Sequence, residues 1–362
     1  MPIHLHIGTH KTGTTAFQRQ LQRSREALKQ RGIWYPNEAE LLPGRGARIP
    51  HRNIARSLHS GSAPKPYSAD ELLTIAKALL RGSRDYEHTI ISSEAFWRIG
   101  FPGTPDHHTS EELWLRKQAN VNKIRTFFGD ADVRIAAVLR ERSAYIQSGY
   151  SEFILATLYQ KGIKSFIRTY SYSWDYLRQL QTWGSLFPVS AHSYEKLCQH
   201  NRLPLDLLRS ICGADLPDDT LVPDPKPWVN ISQPLACVAF KRFLNQLPLT
   251  HDKRSKLHCK YRKIFKKAAH KPVVQQFLEI NSWLNAEELT DLRCALASGD
   301  EQIRCQLCPS LVSQPTGWWA RLQPGQAEPR AMTDADRMQV IDWMLKRKPV
   351  KQGWFHPVDP QG

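Results

Sequence analysis

Ile3-His4-Leu5-His6-Ile7-Gly8-Thr9-His10-Lys11-Thr12-Gly13-Thr14-Thr15 is the stretch that decides the fold. Ile3, Leu5 and Ile7 alternate with His4 and His6, the period-2 pattern of a strand. After the second glycine, Phe17, Leu21 and Leu28 recur at helical spacing, and Gly32 marks the stop of a helix expected over 14–31. Strand, glycine loop and helix start together read as a phosphate cradle. Such a loop turns successive backbone N–H groups toward an anion, and the helix N-terminus adds its partial positive charge. A nucleoside-triphosphatase loop has the form G-x-x-x-x-G-K-[ST]. Four residues do separate Gly8 from Gly13, but Thr14 stands where the lysine belongs, and the lysine is Lys11, inside the loop. That displacement argues against an ordinary ATPase or GTPase.

The chain around this segment keeps alternating between strand and helix patterns. A short extended piece at 32–36 precedes a stretch over 43–68 that is rich in Gly, Pro, Arg, His and Ser and reads as a long loop. Helical spacing over 72–80 leads to a β-rich run at 88–93 that ends at Glu94. A helix over 113–128 leads to an apolar strand at 133–139 that ends at Arg140. Ser143 then reads as the N-cap of a helix over 144–159, followed by a helix at 174–183 and a strand at 189–194. This repetition predicts an α/β fold with a P-loop-like, mostly parallel sheet flanked by helices. Beyond about 235 the pattern turns helical, at 235–247, at 272–284 and in a last helix from Thr333 or Asp334 to about Lys348. A basic stretch lies over 253–271. We read one domain, with a core over 1–235 and a helical C-terminal extension over 236–362.

Fifty Lys and Arg against 34 Asp and Glu give a formal net charge of +16. A field of that sign favours anionic partners: nucleotides, nucleic acid, acidic polysaccharide or a membrane surface. No apolar run approaches the roughly 20 residues that span a bilayer, and the first residues lack the charged and apolar regions of a secretory signal. The expectation is therefore a cytoplasmic protein without a membrane span. The seven cysteines are scattered, and Cys305 and Cys308 form the one close pair. With no second pair and no histidine at ligand spacing, that pair reads as reduced thiols, not as a zinc site. His4 and His6, without a third ligand, read as strand-packing residues, and no metal site is expected.

In an open α/β sheet, ligands bind beyond the carboxyl ends of the strands. Three inferred strands run into Lys11, Glu94 and Arg140, with Ser148 eight residues after the last. An arginine leaving a strand offers a planar fork to phosphate oxygens, and a serine in the next helix adds a hydroxyl. Taken with the loop, the pair implies a ligand carrying phosphates at two separate places.

At these residues the chain resembles the sulfotransferases that use 3′-phosphoadenosine 5′-phosphosulfate (PAPS), closest in style to the heparan-sulfate and carbohydrate type and its bacterial relatives. His10-Lys11-Thr12-Gly13-Thr14-Thr15-Ala16-Phe17 looks like that family's 5′-phosphosulfate loop. Arg140 to Ser148 matches its 3′-phosphate motif, and Ser193-Tyr194-Glu195 looks like a third element whose tyrosine lies near the nucleotide. The resemblance covers roughly residues 1–235. It implies transfer of a sulfuryl group from PAPS to an acceptor hydroxyl or amine, leaving adenosine 3′,5′-bisphosphate (PAP), with no metal. Lys11, Thr12, Gly13, Thr14, Thr15, Arg140, Ser148 and Tyr194 would then bind the nucleotide, with Lys11 also stabilising the leaving oxygen. Glu94 matches the family's base in position, an alternative reading being a carboxylate at a helix start. His10 and His51 are rival bases, having the better unperturbed pKa.

The acceptor expected on this resemblance is an oligo- or polysaccharide, with the positive charge favouring an acidic or already sulfated one; a tyrosyl peptide or a small hydroxylated metabolite is the alternative. Arg45, Arg48, His51 and Arg52 would lie in a loop over the site, and Trp34, Trp97 and Trp114 fall near inferred strand or loop ends. Two other classes compete. A nucleotide kinase or NTPase with a variant loop is opposed by Thr14 and by the lack of a magnesium-holding acid other than Glu94. A nucleic-acid-binding protein is suggested by the charge, yet no recognition motif accompanies it.

Overall fold

Five strands form a single sheet in the computed structural model of the chain, which describes residues 1–9, 11–59, 65–101, 108–200, 202–213, 215–224, 235–265 and 283–308. They are β1 (Ile3–His6), β2 (Ile33–Trp34), β3 (His88–Ser92), β4 (Val133–Leu139) and β5 (Val189–Ser193). The order is β2-β3-β1-β4-β5, and every neighbouring pair is parallel. The sequence explains the order of burial. β4 is an unbroken apolar run apart from Arg134, as a strand covered on both faces requires. β2 is two residues long and β5 carries Ser190 and His192, and these are the two edges.

The connecting helices are α1 (Thr14–Arg23), α2 (Arg25–Gln30), α3 (Glu38–Leu41), α4 (His51–Leu58), α5 (Ala69–Gly82), α6 (Ser110–Phe128), α7 (Arg142–Ala156), α8 (Ile163–Thr169), α9 (Tyr176–Gly184), α10 (Tyr194–Leu197) and α11 (Leu203–Cys212). They are followed by α12 (Leu235–Gln246), α13 (His251–Phe265) and α14 (Ala286–Gln306). One face of the sheet presents Ile90, Ala136 and Val138 to Phe17 and Leu21 of α1, Leu28 of α2 and Leu203, Leu207, Leu208 and Ile211 of α11. Each of the larger apolar side chains contributes about 1.5–3 kcal/mol by leaving water, and Leu21→Ala in this layer costs about 2–5 kcal/mol. On the other face Ile3, Leu5, Ile91, Ile135 and Ala137 are equally sealed. The sheet is thus all-parallel and flanked by helices, as expected for the α/β class.

Three local expectations are corrected. The helix expected over 14–31 is two helices, because Ser24 adopts φ −94° and ψ 8° and its hydroxyl accepts the Val222 N–H at 2.8 Å. The stretch over 43–68 is not one long loop but contains α4, whose Ile54, Ala55 and Leu58 are buried. Ser143 is not the cap of the helix after β4. The Glu141 carboxylate takes that role, accepting from the N–H of Ser143 (3.1 Å) and of Ala144 (2.7 Å), and α7 ends at Ala156. The 235–247 helix is present as α12. The helix expected at 333–348, and most of that at 272–284, lie outside the described residues.

The chain groups into two compact units. One comprises 1–145, 169–230 and 296–314, and the other 146–168, 231–295 and 315–362. The sheet belongs to the first. Within the second, the carbonyls that follow the end of α7 are bonded from α12. Lys241 Nζ donates to Thr157 O at 3.2 Å, and Asn245 Nδ2 donates to Tyr159 O at 2.9 Å. Among the described residues no helix is long and apolar enough to cross a membrane.

Candidate functional site

The chain runs from β1 to β2 and β3 on one side of the sheet, then to β4 and β5 on the other. The order therefore reverses about β1, and the crevice beyond its carboxyl end is the topological switch point where such sheets hold ligands. The Gly8–Thr15 loop leaves β1 there. Ladder bonding extends past the strand, with Ile7 N–H to Ala136 O at 2.9 Å and Thr9 N–H to Val138 O at 3.1 Å. The buried Thr9 hydroxyl donates to the same Val138 carbonyl at 3.1 Å. The Thr12 hydroxyl donates back to the Thr9 carbonyl, and the Thr12 and Thr14 hydroxyl oxygens lie 3.4 Å apart, both residues being buried. These two threonines are committed to the loop's own shape, whereas Thr15 is half-buried.

Two backbone features shape the cradle. Gly13, with φ 73°, is the N-cap of α1 and supplies no side-chain cap, so the first turn of α1 receives no capping oxygen from that position. Lys11 is the sole non-glycine residue with positive φ (64°) among the described residues. That conformation costs a lysine of order 1 kcal/mol and persists only where its surroundings fix it. Gly8 meets a different demand. A Cβ there would stand 2.7 Å from Nε2 of His6, whose ring is wholly buried, packs edge-on against Phe17 and sits with Nδ1 2.8 Å from the Ser92 hydroxyl.

Arg140, the first residue beyond β4, is 8% exposed and reaches the loop, its Nη1 donating to the main-chain carbonyl of Lys11 at 3.4 Å. Its guanidinium lies over the ring of Tyr194, 5.5 Å from the centroid. Tyr194 follows β5 directly, and burial pushes its phenol up to about 12, with nearby Arg140 opposing the rise. The segment after Arg140 is held by two carboxylates that sequence reading assigned no role. Glu195 Oε1 accepts the Glu141 N–H at 3.0 Å, and Glu141 caps α7. The structure thus brings Lys11, Arg140 and Tyr194 together.

Glu94 lies two residues past β3, half-buried, and its carboxylate has no hydrogen-bond or ion-pair partner among the described residues. Its turn is fixed from below. Lys117 on α6, with no exposed surface, donates to the carbonyls of Trp97 (2.8 Å) and Phe96 (3.5 Å) and lies over the rings of Phe101 and Trp183, 5.3 Å from each centroid. Burial holds its ammonium well below the usual lysine range. The signal for it is a lone lysine on the apolar stripe Leu113, Trp114, Val121 and Ile124. Gln18 of α1 donates to the Ser92 carbonyl at 2.9 Å, tying the helix behind the Gly8–Thr15 loop to the end of β3.

His51 opens α4 and is wholly buried. Its Nδ1 accepts the Ser92 N–H at 3.2 Å, and burial drives its pKa down to about 3. It stands as a neutral ring pinning β3 and not as part of an exposed basic loop. His10 lies outside the described residues. Ser148 is half-buried on α7 and belongs to the second unit. Trp34, Trp97 and Trp114 are at most 5% exposed, so their faces serve the core and not a sugar ring. Arg45 pairs with Glu71. Cys305 is exposed with its thiol donating to Glu301, and Cys308 is buried; neither is in a disulfide. Among the described residues no three His, Cys, Asp or Glu side chains gather as a metal site. No protein-family model matches the chain, and no curated protein or solved structure matches it.

Proposed function

We propose that the chain is a PAPS-dependent sulfotransferase built on a P-loop-like sheet, acting on a hydroxyl of a carbohydrate acceptor. The observation that carries this reading is the junction of Arg140 with the Lys11 loop at the switch point of the sheet. An anion in the loop meets the first turn of α1 and Lys11, while a second anion near β4 meets a buried guanidinium backed by an aromatic ring. Two phosphate-binding places on adjacent strands suit a nucleotide phosphorylated at both 3′ and 5′ positions better than a triphosphate, whose charges are contiguous.

The roles of the residues follow from charge. The nucleotide supplies an activated sulfuryl group. Transfer breaks the bond between sulfur and the bridging phosphate oxygen, which keeps the electron pair, and forms a bond from sulfur to the acceptor oxygen. Lys11 and the α1 N-terminus stabilise the charge that grows on the bridging oxygen. The acceptor proton passes to the Glu94 carboxylate, which has no hydrogen-bond or ion-pair partner among the described residues and lies past the end of β3, within the range of positions from which a general base could act. His51, neutral and bonded through Nδ1 to the Ser92 N–H, supports the strand end that carries this acid.

The test is ligand-dependent thermal stability without added metal. Adenosine 3′,5′-bisphosphate at a hundredfold excess over its dissociation constant stabilises the folded state by about 2.7 kcal/mol, and ATP and GTP do not match it. Equal shifts with all three, or none with the bisphosphate, overturn the reading.

A further inference from the structure

We propose that Glu195 is a positioning residue for Arg140, acting through the main chain on the residue that follows it. This rests on Arg140 being the 3′-phosphate ligand. β4 pairs with β5 as far as Leu139 opposite Ser193, and there the ladder ends. Arg140 is therefore the first residue whose direction the sheet does not set, and the Glu141 N–H has no strand partner. Glu195 Oε1 takes that N–H at 3.0 Å. Its other oxygen accepts from the Ser193 hydroxyl at 3.3 Å, which fixes the carboxylate from the opposite side. Glu141 in turn points away and closes the first turn of α7, its carboxylate accepting the Ser143 hydroxyl at 2.7 Å and the Ala144 N–H at 2.7 Å.

Three consecutive residues thus hold Arg140 from two directions. Ser193 ends the ladder before it, Tyr194 lies beneath its guanidinium, and Glu195 binds the N–H after it. A guanidinium on a flexible stem binds phosphate weakly unless its fork is pre-oriented, because ordering the side chain consumes part of the interaction. Here the orientation is set before any ligand arrives. A carboxylate accepting a backbone N–H is a strong, charge-assisted contact, and Glu195 is itself largely shielded from water, which raises its pKa above the ordinary carboxylate range.

The readout is selectivity for the 3′-phosphate, measured by calorimetric titration as the ratio of affinities for adenosine 3′,5′-bisphosphate and adenosine 5′-phosphate. In Glu195→Ala the ratio falls by about tenfold, equivalent to one charge-assisted hydrogen bond, while affinity for the 5′-phosphate nucleotide stays within about twofold. Glu195→Gln, which keeps an oxygen for the Glu141 N–H, restores the ratio. Glu195→Asp, one methylene shorter, withdraws that oxygen and behaves as the alanine variant; it decides the matter if the alanine variant does not fold. A wild-type ratio in Glu195→Ala or Glu195→Asp overturns the positioning role. A wild-type protein that does not distinguish the two nucleotides instead overturns the reading of Arg140 itself.

Discussion

The guanidinium of Arg140 donates to the carbonyl of Lys11 across 3.4 Å, so the residue leaving β4 is tied to the loop leaving β1. That tie bears on the backbone of Lys11, held at φ 64° where a lysine gains nothing intrinsically. Removing the side chain and relieving the backbone can be separated. Lys11→Ala lowers turnover by about 10²–10³-fold, as loss of one group that stabilises transition-state charge does. Lys11→Gly loses the same activity yet raises the melting temperature, because glycine tolerates positive φ and stability rises by about 1 kcal/mol. Parallel melting and turnover assays check the pair, and a Lys11→Gly variant no more stable than the Lys11→Ala variant contradicts the strain argument.

Arg140→Ala acts on binding more than on chemistry. It removes a buried cation from the place assigned to the 3′-phosphate, so the dissociation constant for adenosine 3′,5′-bisphosphate rises about 10- to 100-fold, the size of one or two hydrogen bonds to a charged group. Adenosine 5′-phosphate binds as before. If the bisphosphate affinity is unchanged in calorimetric titration, the second phosphate lies elsewhere.

Glu94→Gln separates the chemical step from nucleotide binding. The amide matches the carboxylate in shape but cannot take a proton, and no partner of Glu94 among the described residues is disturbed. Turnover falls by about 10²–10⁴-fold, the usual contribution of a general base, with bisphosphate affinity intact. Steady-state rates at saturating nucleotide check this, and full activity in the variant returns the role of base to a histidine.

The parallel α/β sheet was legible because it rests on periodicity. Ile3–Ile7 and 133–139 write their burial into consecutive residues, and polar or charged groups follow each strand where a ligand edge belongs. The failures are of another kind. The break at Ser24 depends on a hydroxyl bonding the N–H of Val222, 198 positions away, which no local window contains. α4 hid in 43–68 because eight residues with His51, Arg52 and Arg56 look polar, although Ile54, Ala55 and Leu58 face inward. Propensity puts the cap of α7 at Ser143, yet the Glu141 carboxylate, two residues earlier, accepts the N–H groups of Ser143 itself and of Ala144. His51 read as a basic loop residue because its burial is a tertiary fact. Glu195 is visible in the sequence beside Tyr194, but its bond to Glu141 requires β4 and β5 to be adjacent, and adjacency follows from topology, not from spacing.

The first glycine of the loop gives a prediction about packing. An alanine at Gly8 would place its Cβ 2.7 Å from His6 Nε2 and 3.2 Å from the Thr14 hydroxyl. The His6 ring cannot retreat, being buried and held at Nδ1 by Ser92. Gly8→Ala therefore destabilises by about 1–3 kcal/mol, the range for overpacking a filled site. In a His6→Ala background the penalty shrinks, and a double-mutant cycle in denaturant reads the coupling. Additive penalties place the demand for glycine elsewhere.

The buried imidazoles set the response to acid. Burial lowers the pKa of His4 to about 4 and of His6 and His51 to about 3, against about 6.5 in the unfolded chain. Between these values the unfolded chain binds protons that the native state refuses, so stability falls as pH drops from 6.5 toward 4 and is constant above about 7.5 as far as these groups are concerned. Each imidazole costs about 2 kcal/mol by pH 5, and three together exceed the change that most surface carboxylates produce over that interval. Denaturant midpoints at pH 7.5, 6 and 5 measure the slope. His51→Asn keeps an acceptor for the Ser92 N–H and cannot be protonated, so its midpoint falls less steeply with acid than that of the wild type, whatever its stability at neutral pH. An unchanged slope in that variant means that His51 does take up its proton in the native state.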